Sequence, residues 1–113
     1  MSTAVKSSVL ARAQRGGGNA QGPGPIDRFL DAVWMERGLS PNTLAAYRAD
    51  LTALERWLDQ HESDLTAAKR GDLLSFMAWR VQAGARPRST ARQLSSFRRF
   101  YRHLVREGVL RED

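Results

Sequence analysis

The sequence contains no cysteine, and its two histidines, His61 and His103, lie far apart in the chain. Disulfide bonds and thiolate metal sites are therefore excluded, and no spacing of histidines and carboxylates is typical of a zinc site. No apolar run approaches the roughly 20 residues of a membrane-spanning helix, and the N-terminus lacks the apolar segment of a secretory signal. We expect a cytoplasmic protein with no cofactor, no bound metal and no membrane partner.

Motifs of catalysis are also missing. No G-x-S-x-G sequence occurs, and the glycine run at residues 16–18 has no strand before it that would make it a phosphate loop. Tyr47 and Tyr101 occupy apolar-stripe positions, which favours packing in a core over a nucleophilic role. The carboxylates of the first half are spread over helix faces and are interpreted as solubilising charge: Asp27, Asp31, Asp50, Glu55 and Asp59.

The chain of 113 residues divides into a leader and one domain. Residues 1–25 include a Gly-, Pro- and Gln-rich stretch with no hydrophobic period, so we expect a disordered tail. Residues 26–113 are enough for one modest hydrophobic core.

Apolar residues recur at helical spacing in four segments, and no segment alternates as a strand does. The predicted helices cover residues 26–37, 41–60, 71–83 and, starting at Arg88 or Ser89, the stretch up to residue 107. Ser40 and Pro41 suit the N-cap and first position of the second helix. The third helix is apolar on more than one side, which favours a central position in an all-α, four-helix bundle.

The fourth helix carries a one-sided charge. Residues 86–106 contain seven arginines and no acidic residue, so they hold +7 of a chain whose net charge is +6. At about 100° per residue, one face is apolar through Leu94, Phe97, Tyr101, Leu104 and Val105. The opposite face forms a basic stripe of Arg88, Arg92, Ser95, Arg99, Arg102 and Arg106.

Such a stripe has two interpretations. Most charged helix faces are simply solvated, but those usually mix signs, whereas a basic strip without acids is typical of a phosphate-binding surface. The polar residues that open the second helix allow a similar choice, between contacts with phosphates or bases and ordinary helix capping.

Residues 38–58 resemble the opening signature of the core-binding domain of tyrosine recombinases, the phage-integrase family. That pattern places Ser40, Thr43, Tyr47 and the pair Asp50-Leu51 on one helix. Residues 83–95 and 95–108 resemble the entry to the family's closing helix and that helix itself. The resemblance implies a SAM-like orthogonal bundle of four helices.

The resemblance also implies the role of the domain. In this family two domains clamp DNA, and the second and fourth helices of the core-binding domain lie near the major groove. The other domain supplies two arginines, a lysine, histidines and a tyrosine nucleophile. We expect that catalytic domain to follow Asp113, so this chain should be inactive alone. The implied DNA-facing residues are Asn42, Thr43, Ala46, Arg86, Arg88, Ser89, Arg92, Gln93, Ser96 and Arg99.

The resemblance further implies that the parent recombinase resolves chromosome dimers and that it acts with three partners. They are a double-stranded recombination half-site, a second recombinase subunit in a heterotetramer on DNA, and a DNA translocase that acts through the absent half. Two alternatives remain open at this point: a free-standing helical DNA-binding regulator and a protein-interaction bundle.

Overall fold

The computed structural model describes residues 24–111, which form four α-helices without a strand. Their bounds are Pro25–Arg37 (α1), Pro41–Gln60 (α2), Arg70–Gln82 (α3) and Pro87–Arg106 (α4). The all-α, four-helix prediction is confirmed. The predicted disordered tail lies outside the described residues except for Gly24 and Pro25, and Pro25 is already the first residue of α1.

Local sequence explains where the helices begin and end. Gly38 ends α1 in the left-handed conformation (φ 61°), which glycine adopts without a steric penalty, and its N–H donates to the Trp34 carbonyl. The Ser40 hydroxyl accepts the Thr43 N–H at the start of α2. α4 begins at Pro87, slightly earlier than predicted, because proline at the first position has a suitable φ and needs no N–H partner.

The core lies between α1, α2 and α4. Leu51, Leu54 and Leu58 of α2 are fully buried, as the periodicity predicted. The apolar face of α4 is wider than predicted, because α4 packs against all three other helices and also buries Phe100. The buried apolar residues are Ile26, Phe29, Leu30, Val33, Leu51, Leu54, Leu58, Leu65, Phe76, Phe97, Phe100, Tyr101 and Leu104.

The predicted central position of α3 is wrong. Phe76 is the one residue of α3 that is buried, where its ring contacts those of Trp57 and Phe97. Leu74 and Val81 are 61% and 60% exposed, and Trp79 is about half exposed. Thus α3 lies at the periphery, and its second apolar side faces solvent.

The connection between α2 and α3 is tied to the core. Asp64 Oδ1 accepts the backbone N–H groups of Thr66 and Ala67, which holds the turn. Leu65 is buried, and its carbonyl accepts the Tyr101 hydroxyl at 2.7 Å. Tyr101 therefore packs in the core with its hydroxyl satisfied, and burial raises its pKa.

His103 of α4 is buried beside the ring of Phe29, and its Nδ1 has no hydrogen-bond partner among the described residues. Desolvation by burial lowers the pKa of His103 below 6.5. Arg106 and Arg28 act in the same direction, while Glu107 and Glu36 oppose it.

We expect the domain to lose stability as the pH falls below 6.5. In that window the unfolded chain binds a proton at residue 103 that the folded chain resists, so protonation favours unfolding. Urea denaturation at a series of pH values between about 5 and 7.5 measures the effect. His103→Gln should abolish this contribution, whereas His61→Gln, at an exposed histidine, should keep it. The same pH dependence in wild type and His103→Gln would contradict the prediction.

Candidate nucleic-acid interface

The outer face of α4 is basic and exposed over the length of the helix. Arg88, Arg102 and Arg106 are exposed, and Arg99 is partly exposed, while the opposite face is buried in the core. The two-sided character predicted from periodicity is therefore present in the structure. The core holds α4 so that these arginines point outward.

Asp50 of α2 lies beneath this face. Its interpretation as solubilising surface charge is wrong, because its side chain is only 1% exposed. Arg92 donates to it twice, from Nη2 to Oδ1 at 2.7 Å and from Nε to Oδ2 at 3.1 Å. The Ser96 hydroxyl donates to Oδ2 at 2.8 Å. Burying a carboxylate is unfavourable unless it is paired and hydrogen-bonded, so Arg92 and Ser96 stabilise Asp50 in this position.

Two of the implied DNA-facing residues lie inside the domain instead. Ser96 is fully buried, and its hydroxyl donates to Asp50 and lies 3.1 Å from the Arg92 carbonyl. Gln93 is 3% exposed, and its Oε1 accepts from Arg80 Nε at 3.3 Å. Helical spacing places both near the basic stripe, but α2 covers Ser96 and the Arg80 side chain reaches Gln93. Arg80, which the sequence did not single out, thereby brings a cation of α3 to this region.

The charges of the stripe differ in how far they are compensated. Arg92 is paired with Asp50, although half of its side chain is exposed, and this bond raises its pKa. Arg106 is paired with Glu36 of α1 at 3.1 Å. No described carboxylate pairs with the remaining arginines that the sequence singled out: Arg86, Arg88, Arg99 and Arg102.

The start of α2 combines capping and exposure. The hydroxyls of Ser40 and Thr43 lie 3.0 Å apart, and Ser40 also accepts the Thr43 N–H. Asn42 is exposed, while Thr43 and Ala46 are partly exposed. Capping therefore explains Ser40 and Thr43, and the Asn42 side chain remains available to solvent.

The start of α4 lacks a side-chain cap. Its N-cap is Arg86, whose side chain accepts no hydrogen bond, and the first helical bond runs from the Thr90 N–H to the Arg86 carbonyl. The N–H groups of Arg88 and Ser89 precede that bond and have no acceptor within the helix. Arg86 and Arg88 are exposed beside them, so positive side chains and helix-end N–H groups face the same solvent.

The Asp50–Arg92 pair joins the middle of α2 to the second turn of α4. At about 1.5 Å per residue, Asn42 lies roughly 12 Å from Asp50 along α2, and Arg88 lies roughly 6 Å from Arg92 along α4. By the same measure Arg106 lies roughly 27 Å from Arg88 along α4, about twice the 12 Å width of a DNA major groove.

The described residues hold no group of three or more histidines and carboxylates that could bind a metal ion. Within the same part of the chain, no helix is both long enough and apolar enough to cross a membrane. Tyr47 is partly buried against Phe29, and Tyr101 is bonded to the Leu65 carbonyl, so both tyrosines serve packing.

Comparison with known proteins identifies the family. Residues 26–108 match the family described as "Phage integrase, N-terminal SAM-like domain". The chain is 53% identical to the tyrosine recombinase XerD of Yersinia pestis over 88 residues, which cover 78% of this chain and 29% of that protein. XerD of Pseudomonas putida and of Pseudomonas aeruginosa are each 49% identical over 88 residues, with 78% of this chain and 30% of the relative covered. No solved structure matches the chain significantly.

The residues that match the family, 26–108, contain the motifs on which the sequence resemblance was based. Those motifs resemble XerD most and XerC second, and the relatives named here are XerD proteins. The chain spans less than a third of the length of these relatives. The chain therefore belongs to the phage-integrase family of tyrosine recombinases and contains its N-terminal SAM-like domain.

Proposed function

We propose that this domain binds double-stranded DNA as the non-catalytic part of a XerD-like recombinase that resolves chromosome dimers at a specific site. The observation that carries the proposal is the outer face of α4, where three arginines of the basic stripe, together with Arg86 just before the helix, have no ion-pair partner among the described residues. Unpaired cations on a rigid helix attract phosphates, and release of counterions from DNA then favours binding.

We assign the proposed DNA contacts to the side chains that are exposed on this surface. Phosphate contacts set the position of a protein on DNA, and contacts with base edges specify the sequence. Arg86 and Arg99 suit phosphates, while Arg88 and Arg92 have the paired donors that guanine accepts. Asn42 suits adenine. Thr43, Ala46 and Ser89 border this surface, whereas the buried Gln93 and Ser96 support it from within.

The partners belong to the same proposal. A second recombinase subunit would share a tetramer on DNA, with the exposed parts of α1 and α3 as its candidate contacts. A DNA translocase would act through the part of the recombinase that this chain does not contain. The DNA substrate implies a cytoplasmic location.

Two other functions fit less well. A free-standing helix-turn-helix regulator uses a recognition helix after a tight turn, whereas the basic stripe here runs along all 20 residues of α4. A protein-interaction bundle would use the exposed Leu74, Trp79 and Val81 of α3, but it leaves the arginines of α4 without a role.

An NMR titration of the isotope-labelled chain with a duplex carrying one Xer half-site tests the proposal. We expect shifts at residues 42–46 and 86–99, with little change on α3. Contacts with about three phosphates predict that affinity falls about 40-fold between roughly 0.05 and 0.2 M salt. A shuffled duplex provides the control for sequence-independent binding.

Other outcomes would contradict the proposal. Shifts centred on Leu74, Trp79 and Val81 that do not depend on salt would favour the protein-interaction function. No shift in α2 or α4 at low salt would show that this chain does not bind DNA by the proposed surface.

A further inference from the structure

The geometry around Asp50 restricts a side chain on the basic face. Arg92 comes from α4 and Asp50 from α2, so the two bonds between them join separate helices. Ser96 lies one turn further along α4, and its hydroxyl donates a further hydrogen bond to Asp50 Oδ2. The carboxylate therefore holds the plane of the guanidinium, whereas an unpaired arginine on a helix surface samples many rotamers.

Half of the Arg92 side chain nevertheless remains exposed. The bonds to Asp50 use Nε and one hydrogen of Nη2, which form one edge of the guanidinium. The donors of the other edge, on Nη1 and Nη2, are not used by Asp50. Arg92 thus combines a fixed inner edge with an outer edge that can meet a ligand.

Charge is compensated at the same position. The negative charge of Asp50 compensates the positive charge of Arg92. At a distance the pair is nearly neutral, so it contributes little to long-range attraction of DNA. Arg88 has no ion-pair partner among the described residues, so its charge is uncompensated and its side chain can rotate freely. The two arginines of the stripe therefore differ in what they can supply to a DNA complex.

We propose that Asp50 is a positioning residue, which orients Arg92 so that its outer edge donates to a base and thereby supplies sequence selectivity rather than bulk affinity. This inference rests on the proposed DNA-binding function and extends it to a residue that does not itself touch DNA. A fixed donor pair discriminates between bases because only the correct acceptor edge meets both N–H groups.

Asp50→Asn distinguishes an orienting role of Asp50 from a purely electrostatic role, because the two roles predict opposite changes in DNA affinity. Asparagine has nearly the same shape, but its NH₂ group turns a donor toward the guanidinium and displaces the orientation. Removing a negative charge should strengthen binding to any duplex, whereas loss of orientation should weaken binding to the preferred sequence.

The probes are duplexes of two helical turns, about 20 base pairs. One is enriched by the wild-type 113-residue chain from a randomised library, and the other is its shuffled counterpart. We expect Asp50→Asn to bind the shuffled duplex at least as tightly as wild type does. The ratio of the two affinities should fall about tenfold.

Two further variants keep the test decisive. Arg92→Lys retains the charge but cannot donate two parallel bonds to Asp50, so it should lower the same ratio even where Asp50→Asn fails to fold. Tyr101→Phe removes a buried hydrogen bond far from this pair and should lower stability without changing the ratio. Thermal melting confirms that each variant is folded.

The outcomes separate the inference from the proposed function. An unchanged affinity ratio in folded Asp50→Asn, or in Arg92→Lys, would overturn the positioning role while DNA binding stands. Wild-type chain that binds DNA without enriching any sequence would overturn it as well. Wild-type chain that binds no duplex at low salt would overturn the proposed function and this inference with it.

Discussion

Arg88→Ala is expected to weaken binding of the chain to its DNA site by about 1–3 kcal/mol, because Arg88 supplies an uncompensated charge beside the open N-terminus of α4. Its neighbour Arg86 and the free N–H groups of the first turn face the same solvent, so a phosphate or a guanine edge there would contact several donors at once. Fluorescence anisotropy with a labelled duplex measures the loss.

Arg106→Ala is the matched control, since it removes the same side chain from the same stripe. Arg106 is already paired with Glu36, and it lies near the other end of α4. We expect its loss to lower affinity less than the loss of Arg88 does, because Glu36 already compensates the charge of Arg106. Arg92→Ala should exceed this effect, since Arg92 lies nearer the start of the helix. Equal losses for Arg88→Ala, Arg92→Ala and Arg106→Ala would indicate a diffuse basic surface without ordered contacts.

Phe100→Ala is expected to lower the free energy of unfolding by about 3–5 kcal/mol. Phe100 is fully buried on α4, and its ring meets Phe29 of α1 edge-on at a centroid distance of 5.5 Å. Its removal leaves a cavity where α4 packs on α1. Because a domain of this size has a total stability of only about 5–15 kcal/mol, the variant should be largely destabilised at 37 °C.

Urea denaturation followed by circular dichroism gives the free energy difference. Leu74→Ala on α3 serves as the control, since that leucine is mostly exposed and its loss should cost less than about 0.5 kcal/mol. A loss below about 1 kcal/mol for Phe100→Ala would show that the neighbouring side chains close the cavity. The arginines of α4 would then be held by other parts of the core.

The helices and the basic stripe could be predicted from the sequence because they depend on local properties. Pro41 after Ser40 starts α2, and Gly38 ends α1, since capping and left-handed backbone conformation involve only nearby residues. The spacing of arginines and apolar residues along residues 86–106 determines which face of α4 meets the core. The signature in residues 38–58, together with residues 83–108, indicated the family.

Tertiary structure decided the state of individual polar groups. Asp50, Gln93 and Ser96 have sequence neighbours typical of exposed helix positions, yet all three are buried by contacts between different helices. Asp50 and Arg92 are separated by 42 residues, so no local pattern predicts that one holds the other.

The position of α3 was likewise a matter of tertiary packing. Apolar residues around the helix predicted a central element, but α1, α2 and α4 enclose most of the core, so α3 buries Phe76 fully and packs only Leu73 and Met77 against the edge of the core. The sequence by itself determined four helices and one arginine-rich face. Only packing determined which arginines of the stripe lack an ion-pair partner, which one is paired with a buried carboxylate, and which apolar side chains remain exposed, because each depends on residues that are distant in the chain.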